Sequence, residues 1–334
     1  MKTNGKGFSN LLSSFLLVYL PRTRGCSDNT ITTYRDTFVL FLQFMSGSHG
    51  KRPEKMSFED FTIININAFL QWLEAERKCN VNTCNNRLAA LKSFFRYVQT
   101  EAPEWIDIAG AVLAMPAKKT ALPDISYLSV GAIKLLLEAS RIEGIRDLAL
   151  LSLLYDSGAR VQEIVDIVIN DVRLEKPSTV KLTGKGRKTR IVPLTVQVSD
   201  ILSRYMKTLI SSAPGEPLFK NWRGEPIGRA GIAYVLQKHT NTAHLTFPGV
   251  IPRKITPHML RHSKAMHLLE NGVNLIYIRD FLGHNTVVTT EVYAKANPEM
   301  KRKAIEASSE KILQGSNYST NEKEDLIQWL RDII

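Results

Sequence analysis

This chain of 334 residues holds only three cysteines, Cys26, Cys79 and Cys84. An odd number in a chain of this length builds no disulfide framework, so a reducing interior is the expected compartment. Cys79 and Cys84 are also spaced wrongly for a zinc knuckle. Long apolar runs are missing too: no stretch reaches the ~18 residues that a membrane span requires. The run from Leu11 to Leu20, behind Lys2 and Lys6, superficially resembles a signal peptide. However, Phe8, Leu11, Leu12, Phe15, Leu16, Tyr19 and Leu20 share one helical face, and no small-residue cleavage site follows. A docked amphipathic helix and a cytoplasmic protein without a membrane partner are expected.

Acidic residues are in deficit. Thirty-two Asp and Glu stand against 44 Lys and Arg, a formal net charge of +12. Such an excess favours a polyanion, because each phosphate neutralised releases condensed counterions. Residues 1–120 carry a net of +5 and the remainder +7, so neither part is a simple basic tail. Two basic domains on one chain suit a clamp around a duplex.

Periodicity supplies the organisation. Residues 8 to about 114 read as helices. Ser27 can cap one carrying Ile31, Tyr34, Phe38, Phe41 and Phe44, and Ser57 can cap a third with Phe61, Ile64, Ile66, Phe69 and Trp72. A fourth spans about Asn82 to Val98, with Arg87, Lys92 and Arg96 on a face that is either solvated or turned to DNA. Pro116 to Asp124, with Lys118 and Lys119, breaks the pattern and reads as an extended basic linker. Ser129 then caps another helix, and an apolar one follows from Ile145 to about Asp156. Alternating segments Ser178–Thr183 and Thr189–Leu194 flank Gly184-Lys185-Gly186-Arg187 as a hairpin. Helices return from Thr195, the last around Glu322–Ile334. The fold expected is mainly α with a small antiparallel sheet in the second domain.

Three clusters stand out from this background. The first is Gly158-Ala159-Arg160-Val161-Gln162-Glu163, which by itself reads as a helix junction with an i,i+3 ion pair. The second is Thr256-Pro257-His258-Met259-Leu260-Arg261-His262, where Pro257 suits a first helical turn. His258 and His262 have the spacing of a zinc pair. Yet Met259 stands where that motif needs Glu, and Arg261 between them repels a cation, so no metal is expected. The third is Leu282-Gly283-His284, with Tyr293 nine residues on.

Together these clusters resemble the tyrosine recombinase (phage integrase) family. The resemblance rests on Gly158-Ala159-Arg160-Val161-x-Glu163, the Gly184-Lys185-Gly186 hairpin, His258-x-x-Arg261-His262, Leu282-Gly283-His284 and Tyr293. Val192-Pro193-Leu194 closing the hairpin and Gly272 ending the His258 helix extend it over about residues 128 to 297. Met259 and Lys264 depart from the family's usual residues without removing a catalytic group. The resemblance implies a helical, SAM-like core-binding domain over 1–115, a linker over 116–126, a catalytic domain over 127–297 and a tail over 298–334. The two domains would close as a C-shaped clamp on double-stranded DNA.

It also implies roles. Tyr293 is the nucleophile that forms a 3′-phosphotyrosine bond, Arg160, Arg261 and His284 hold the phosphate, and His258 exchanges the nucleophile's proton. Glu163 orients these groups. Lys185 is the general acid, with Lys181 and Lys188 as rivals in the same hairpin. DNA-binding candidates are Arg87, Lys92, Arg96, Lys118, Lys119, Arg187, Lys188, Arg190 and Lys264. No cofactor is implied. A site-specific recombinase of this kind acts as a tetramer, in integration, excision, transposition or chromosome dimer resolution. A monomeric type IB topoisomerase, a DNA-binding protein without catalysis and a helix–turn–helix regulator are the rival readings. Beyond Tyr293, the stripe Leu326, Ile327, Trp329, Leu330, Ile333 and Ile334 docks either on its own domain or on a neighbouring protomer.

Overall fold

The computed structural model describes residues 7–120, 126–184, 186, 188–209, 213–284, 286 and 290. Lys185, Arg187, Tyr293 and the tail lie outside the described residues. The chain forms two compact units, Met1–Pro123 and Asp124–Ile334. Among the described residues no helix is long and apolar enough to cross a membrane.

The first unit is helical: α1 (Phe8–Ser14), α2 (Asp28–His49), α3 (Ile63–Ala75), α4 (Val81–Glu101) and α5 (Ile106–Ala114). Ten of the chain's thirteen phenylalanines lie here and all ten are buried, so edge and face contacts between rings build this core. Phe94 sits among Phe8, Phe15, Phe38 and Phe58. The first amphipathic helix is not uniform. After Ser14 it widens into a π-helix over Phe15–Thr23 that contains Pro21. Proline donates nothing and crowds the carbonyl one turn back, which a wider turn relieves.

Two expected caps differ. Ser57 caps a short 3₁₀ turn, and α3 starts later behind Thr62, whose hydroxyl accepts from the Asn65 N–H at 3.1 Å. Ile64 is 79% exposed rather than in the core, because it lies opposite the buried face of α3 that Ile66, Phe69, Leu70 and Leu73 form. The Ser27 hydroxyl meets Thr30 Oγ1 instead of a backbone N–H.

Several basic candidates of this unit have internal partners. Arg87 donates to the Thr33 carbonyl at 2.8 Å and to Thr37 Oγ1 at 3.1 Å, tying α4 to α2. Lys92 donates to the Met115 carbonyl. Lys118 pairs with Glu74 at 2.7 Å, and its backbone exchanges two hydrogen bonds with the Asn85 side chain. The start of the basic linker is therefore fastened to α4 and α3. Arg96 and Lys119 are exposed.

In the second unit α6 (Val130–Glu143), α9 (Val196–Met206) and α11 (Pro257–Glu270) pack around α7 (Ile145–Asp156), which is buried on nearly every side. Ser129 caps α6 as expected; α11 opens with Pro257 in its first turn and is capped by Thr256, whose hydroxyl accepts from the Met259 N–H. The short α8 (Val161–Val165) precedes the sheet, and α10 (Arg229–Thr246) and α12 (Leu275–Leu282) complete the layer. The hairpin pairs β2 (Thr179–Thr183) with β3 (Thr189–Pro193). A short β1 (Val172–Arg173), too brief for an alternation signal, adds a third antiparallel strand. Val180, Leu182 and Val192 face the core, and the register sets Leu182 opposite Arg190. By the two-residue period Arg190 therefore stands on the inner face of its strand.

Candidate active site

The site forms where two helices end. Helix α12 stops in a left-handed Gly283, with the His284 N–H on the Arg279 carbonyl at 3.0 Å and the Gly283 N–H on Asp280 at 3.1 Å. This Schellman closure satisfies two of the last carbonyls and leaves the following ones without a partner from the helix. Three arginines supply the donors. Arg190 Nε donates to the Phe281 carbonyl at 2.9 Å, Arg261 Nη2 to Leu282 at 2.7 Å, and Arg160 Nη2 to Gly283 at 3.1 Å. Cations at a helix C-terminus are also favoured by its dipole.

Arg261, 4% exposed, reaches a second helix end through Nη1, which donates to the Gly158 carbonyl behind α7 at 2.7 Å. Gly158 sits at φ +55°, and a Cβ there would lie 2.9 Å from Leu282 and 3.1 Å from Phe281. Only glycine lets α7 and α12 approach closely enough for one guanidinium to bridge them.

Glu163, buried on α8, closes the arrangement. Its oxygens accept from the Arg160 backbone N–H at 2.8 Å and Nη1 at 3.0 Å, and from Arg190 Nη1 and Nη2, both at 2.7 Å. Burial alone would raise this carboxyl; the Arg190 fork first, then Arg160, outweigh it and hold Glu163 below the usual carboxylate range. Gly184 at the hairpin turn leaves room for Glu163, since a Cβ there would stand 3.0 Å from Oε1. A cleft opens beside these groups, lined by Arg160, Gly184, Lys188, Arg190, Gly283 and His284 among others.

His284 Nδ1 lies 3.0 Å from the hydroxyl of the buried Thr290. Burial, then Arg261, Arg160, Arg190 and His262, push its imidazole down to about 4. His258 is exposed at the start of α11, its ring 6.5 Å from that of His262. Burial, then His258 and Arg261, lower the His262 imidazole. In the hairpin, Lys181 pairs with Asp171 at 3.0 Å, while Lys188 is exposed. Lys264 pairs with Asp156 at 2.9 Å and lies over the Tyr155 ring, so its ammonium is held inside the unit.

The structure thus brings together Arg160, Glu163, Arg261 and His284. It adds Arg190, which sequence reasoning assigned only to DNA contact, and Thr290, which carried no signal. The Arg190 signal was its parity with Val192: an arginine on the inner side of a strand requires a buried carboxylate.

The phage integrase family model matches residues 127–300, and the family's N-terminal SAM-like domain matches residues 11–104. The chain belongs to the phage integrase family. A provisionally named integrase/recombinase of Sinorhizobium fredii is 34% identical over 310 residues, covering 92% of this chain and 93% of the relative. The tyrosine recombinase XerC of Roseiflexus castenholzii is 33% identical over 295 residues, 85% and 88% of the two chains. The fold matches the XerH site-specific recombinase solved in a pre-cleavage complex with its difH substrate. The TM-score is 0.65 at 22% identity, over 89% of this chain and 85% of that one. This chain is a tyrosine-type site-specific recombinase.

Proposed function

We propose that this recombinase cuts double-stranded DNA by attack of the Tyr293 hydroxyl on a backbone phosphate, leaving a 3′-phosphotyrosine bond and a free 5′-hydroxyl. One observation carries the reading: Arg160 and Arg261 are fixed on neighbouring carbonyls of one helix end, beside a cleft that Arg160 and His284 line. Negative charge grows on the non-bridging oxygens of the pentacovalent phosphorus, and donors fixed in advance stabilise it without reorganising. A guanidinium fork matches two such oxygens and stays charged. His284, neutral at pH 7 in this surrounding, donates one N–H to the same phosphate.

The protons are passed by other groups. His258 takes the phenolic proton, since a tyrosine with an ordinary pKa near ~10 needs a base at neutral pH. Lys185 gives a proton to the leaving 5′ oxygen; the Asp171 pairing of Lys181 favours Lys185 over that rival. The phosphotyrosine bond conserves the energy of the phosphodiester, so a 5′-hydroxyl from a second duplex can reverse the step without ATP. Exchanging both strands of two duplexes requires a tetramer. The arginines supply the positive charge that divalent ions would otherwise bring.

The test is capture on a nicked suicide substrate in excess EDTA. The expected product is a 3′-end adduct that maps to Tyr293. Loss of the adduct in EDTA, or attachment through a 5′ end, would overturn the mechanism. Lys185→Ala is expected to cleave ordinary DNA about 100-fold slower, within the usual range for a lost general acid. A 5′-bridging sulfur, which departs as thiolate, should restore most of that rate. Equal defects on both substrates would remove Lys185 from the role.

A further inference from the structure

We infer that Arg190 is a positioning residue that locks Glu163 and the end of α12, so that the fork of Arg160 stays available for the phosphate. The inference rests on the role proposed above for Arg160. Its basis is how the donors are shared. Glu163 faces two guanidiniums, so one carboxylate charge is set against two positive ones. Arg190 takes both carboxylate oxygens with its paired Nη atoms at 2.7 Å and spends Nε on the Phe281 carbonyl. Its side chain is only 12% exposed. Arg160 gives Glu163 a single longer side-chain bond at 3.0 Å, gives another to Gly283, and remains 34% exposed at the cleft. With Arg190 absent, Arg160 would be the remaining guanidinium on a buried carboxylate and would be drawn onto it bidentately, away from the cleft.

Packing makes the same point. Gly283 has φ +67°, and a Cβ there would fall 3.0 Å from Arg190 Nη1 and 3.1 Å from Cδ. The turn that ends α12 is thus moulded on the Arg190 side chain. Because Arg190 lies on β3, it also joins the hairpin whose turn bears Lys185 to α8 and to the α12 terminus. One side chain fixes three elements that each carry a proposed catalytic group or its neighbour.

The test compares wild type, Arg190→Ala, Arg190→Lys and Glu163→Gln, and the Arg190→Ala/Glu163→Gln double variant. Each is measured for single-turnover cleavage, half-site affinity and thermal midpoint. Arg190→Ala is expected to lose roughly 100-fold in cleavage rate, the scale of a misplaced catalytic group, with affinity within about twofold. Arg190→Lys keeps the charge without the fork and should recover only part of the rate. In the Glu163→Gln background, where no carboxylate charge draws Arg160 inward, removing Arg190 should cost much less than in wild type. A direct phosphate contact would instead weaken half-site affinity, lower the salt slope by about one and combine additively with Glu163→Gln. A purely structural role would lower rate, affinity and thermal midpoint together, in Arg190→Lys as well; either outcome overturns the inference. Failure of wild type itself to form the Tyr293 adduct would instead remove the proposed mechanism, so the two failures are distinguishable.

Discussion

A Tyr293→Phe chain is expected to bind its DNA site as wild type does and to form no covalent adduct. The change removes one oxygen and no charge, so the arginines proposed to hold the phosphate keep their places. What is lost is the proposed nucleophile. One other tyrosine of this unit, Tyr155, lies on α7 beside Lys264 and Asp156. Its hydroxyl is bonded to His267 Nδ1 at 2.8 Å, and burial, then Asp156, push it up to about 12. A phenol so held is neither exposed nor readily ionised, and it cannot stand in for Tyr293. The measurement is a gel shift on a half-site beside adduct formation on a suicide substrate. Affinity within about twofold and no detectable adduct is the expected pair. A persisting adduct would move the nucleophile to another residue, and a large loss of affinity would mean that Tyr293 serves binding instead.

Much of this arrangement was legible in the sequence because its parts are local. Glycine–arginine–glutamate at a helix junction, proline opening α11 and glycine–histidine closing α12 are spacings within one or two turns. The α-helical class, the hairpin and the α7 boundaries follow from periodicity for the same reason. The rest depends on contacts between distant segments. Arg190 and Glu163 are 27 positions apart, and Arg190 and Phe281 are 91 apart. Parity with Val192 sets Arg190 on the inner face of its strand, but no local pattern reveals which carboxylate it meets there. Arg87, Lys92 and Lys118 are similar cases, each with a carbonyl or carboxylate partner in another segment. The caps at Ser27 and Ser57 differ for a smaller reason: serine satisfies neighbouring groups as readily as the first helical N–H, and tertiary packing decides which. Ile64 is a separate case: it lies opposite the α3 face of Ile66, Phe69, Leu70 and Leu73, which tertiary packing buries.

The second large effect expected is at Arg261. Arg261→Leu should lower single-turnover cleavage by about a thousandfold or more, the scale of losing a preorganised donor to the transition state. It should also destabilise the fold. Leucine leaves the Gly158 and Leu282 carbonyls without the guanidinium donor that joins them, and an unsatisfied buried acceptor costs about 1–3 kcal/mol. The two losses are separable through Arg261→Lys. Lysine keeps the positive charge near the α7 and α12 termini, so much of the stability should return. A single ammonium cannot reproduce a planar fork that spans two carbonyls, and its charge is no longer aimed at a fixed phosphate oxygen. Arg261→Lys should therefore melt near the wild-type temperature and still cleave at least a hundredfold slower. Cleavage near the wild-type rate in that folded variant would show that charge alone is needed there. The helix-end carbonyls would then be a structural tie and not the device that aims the arginine.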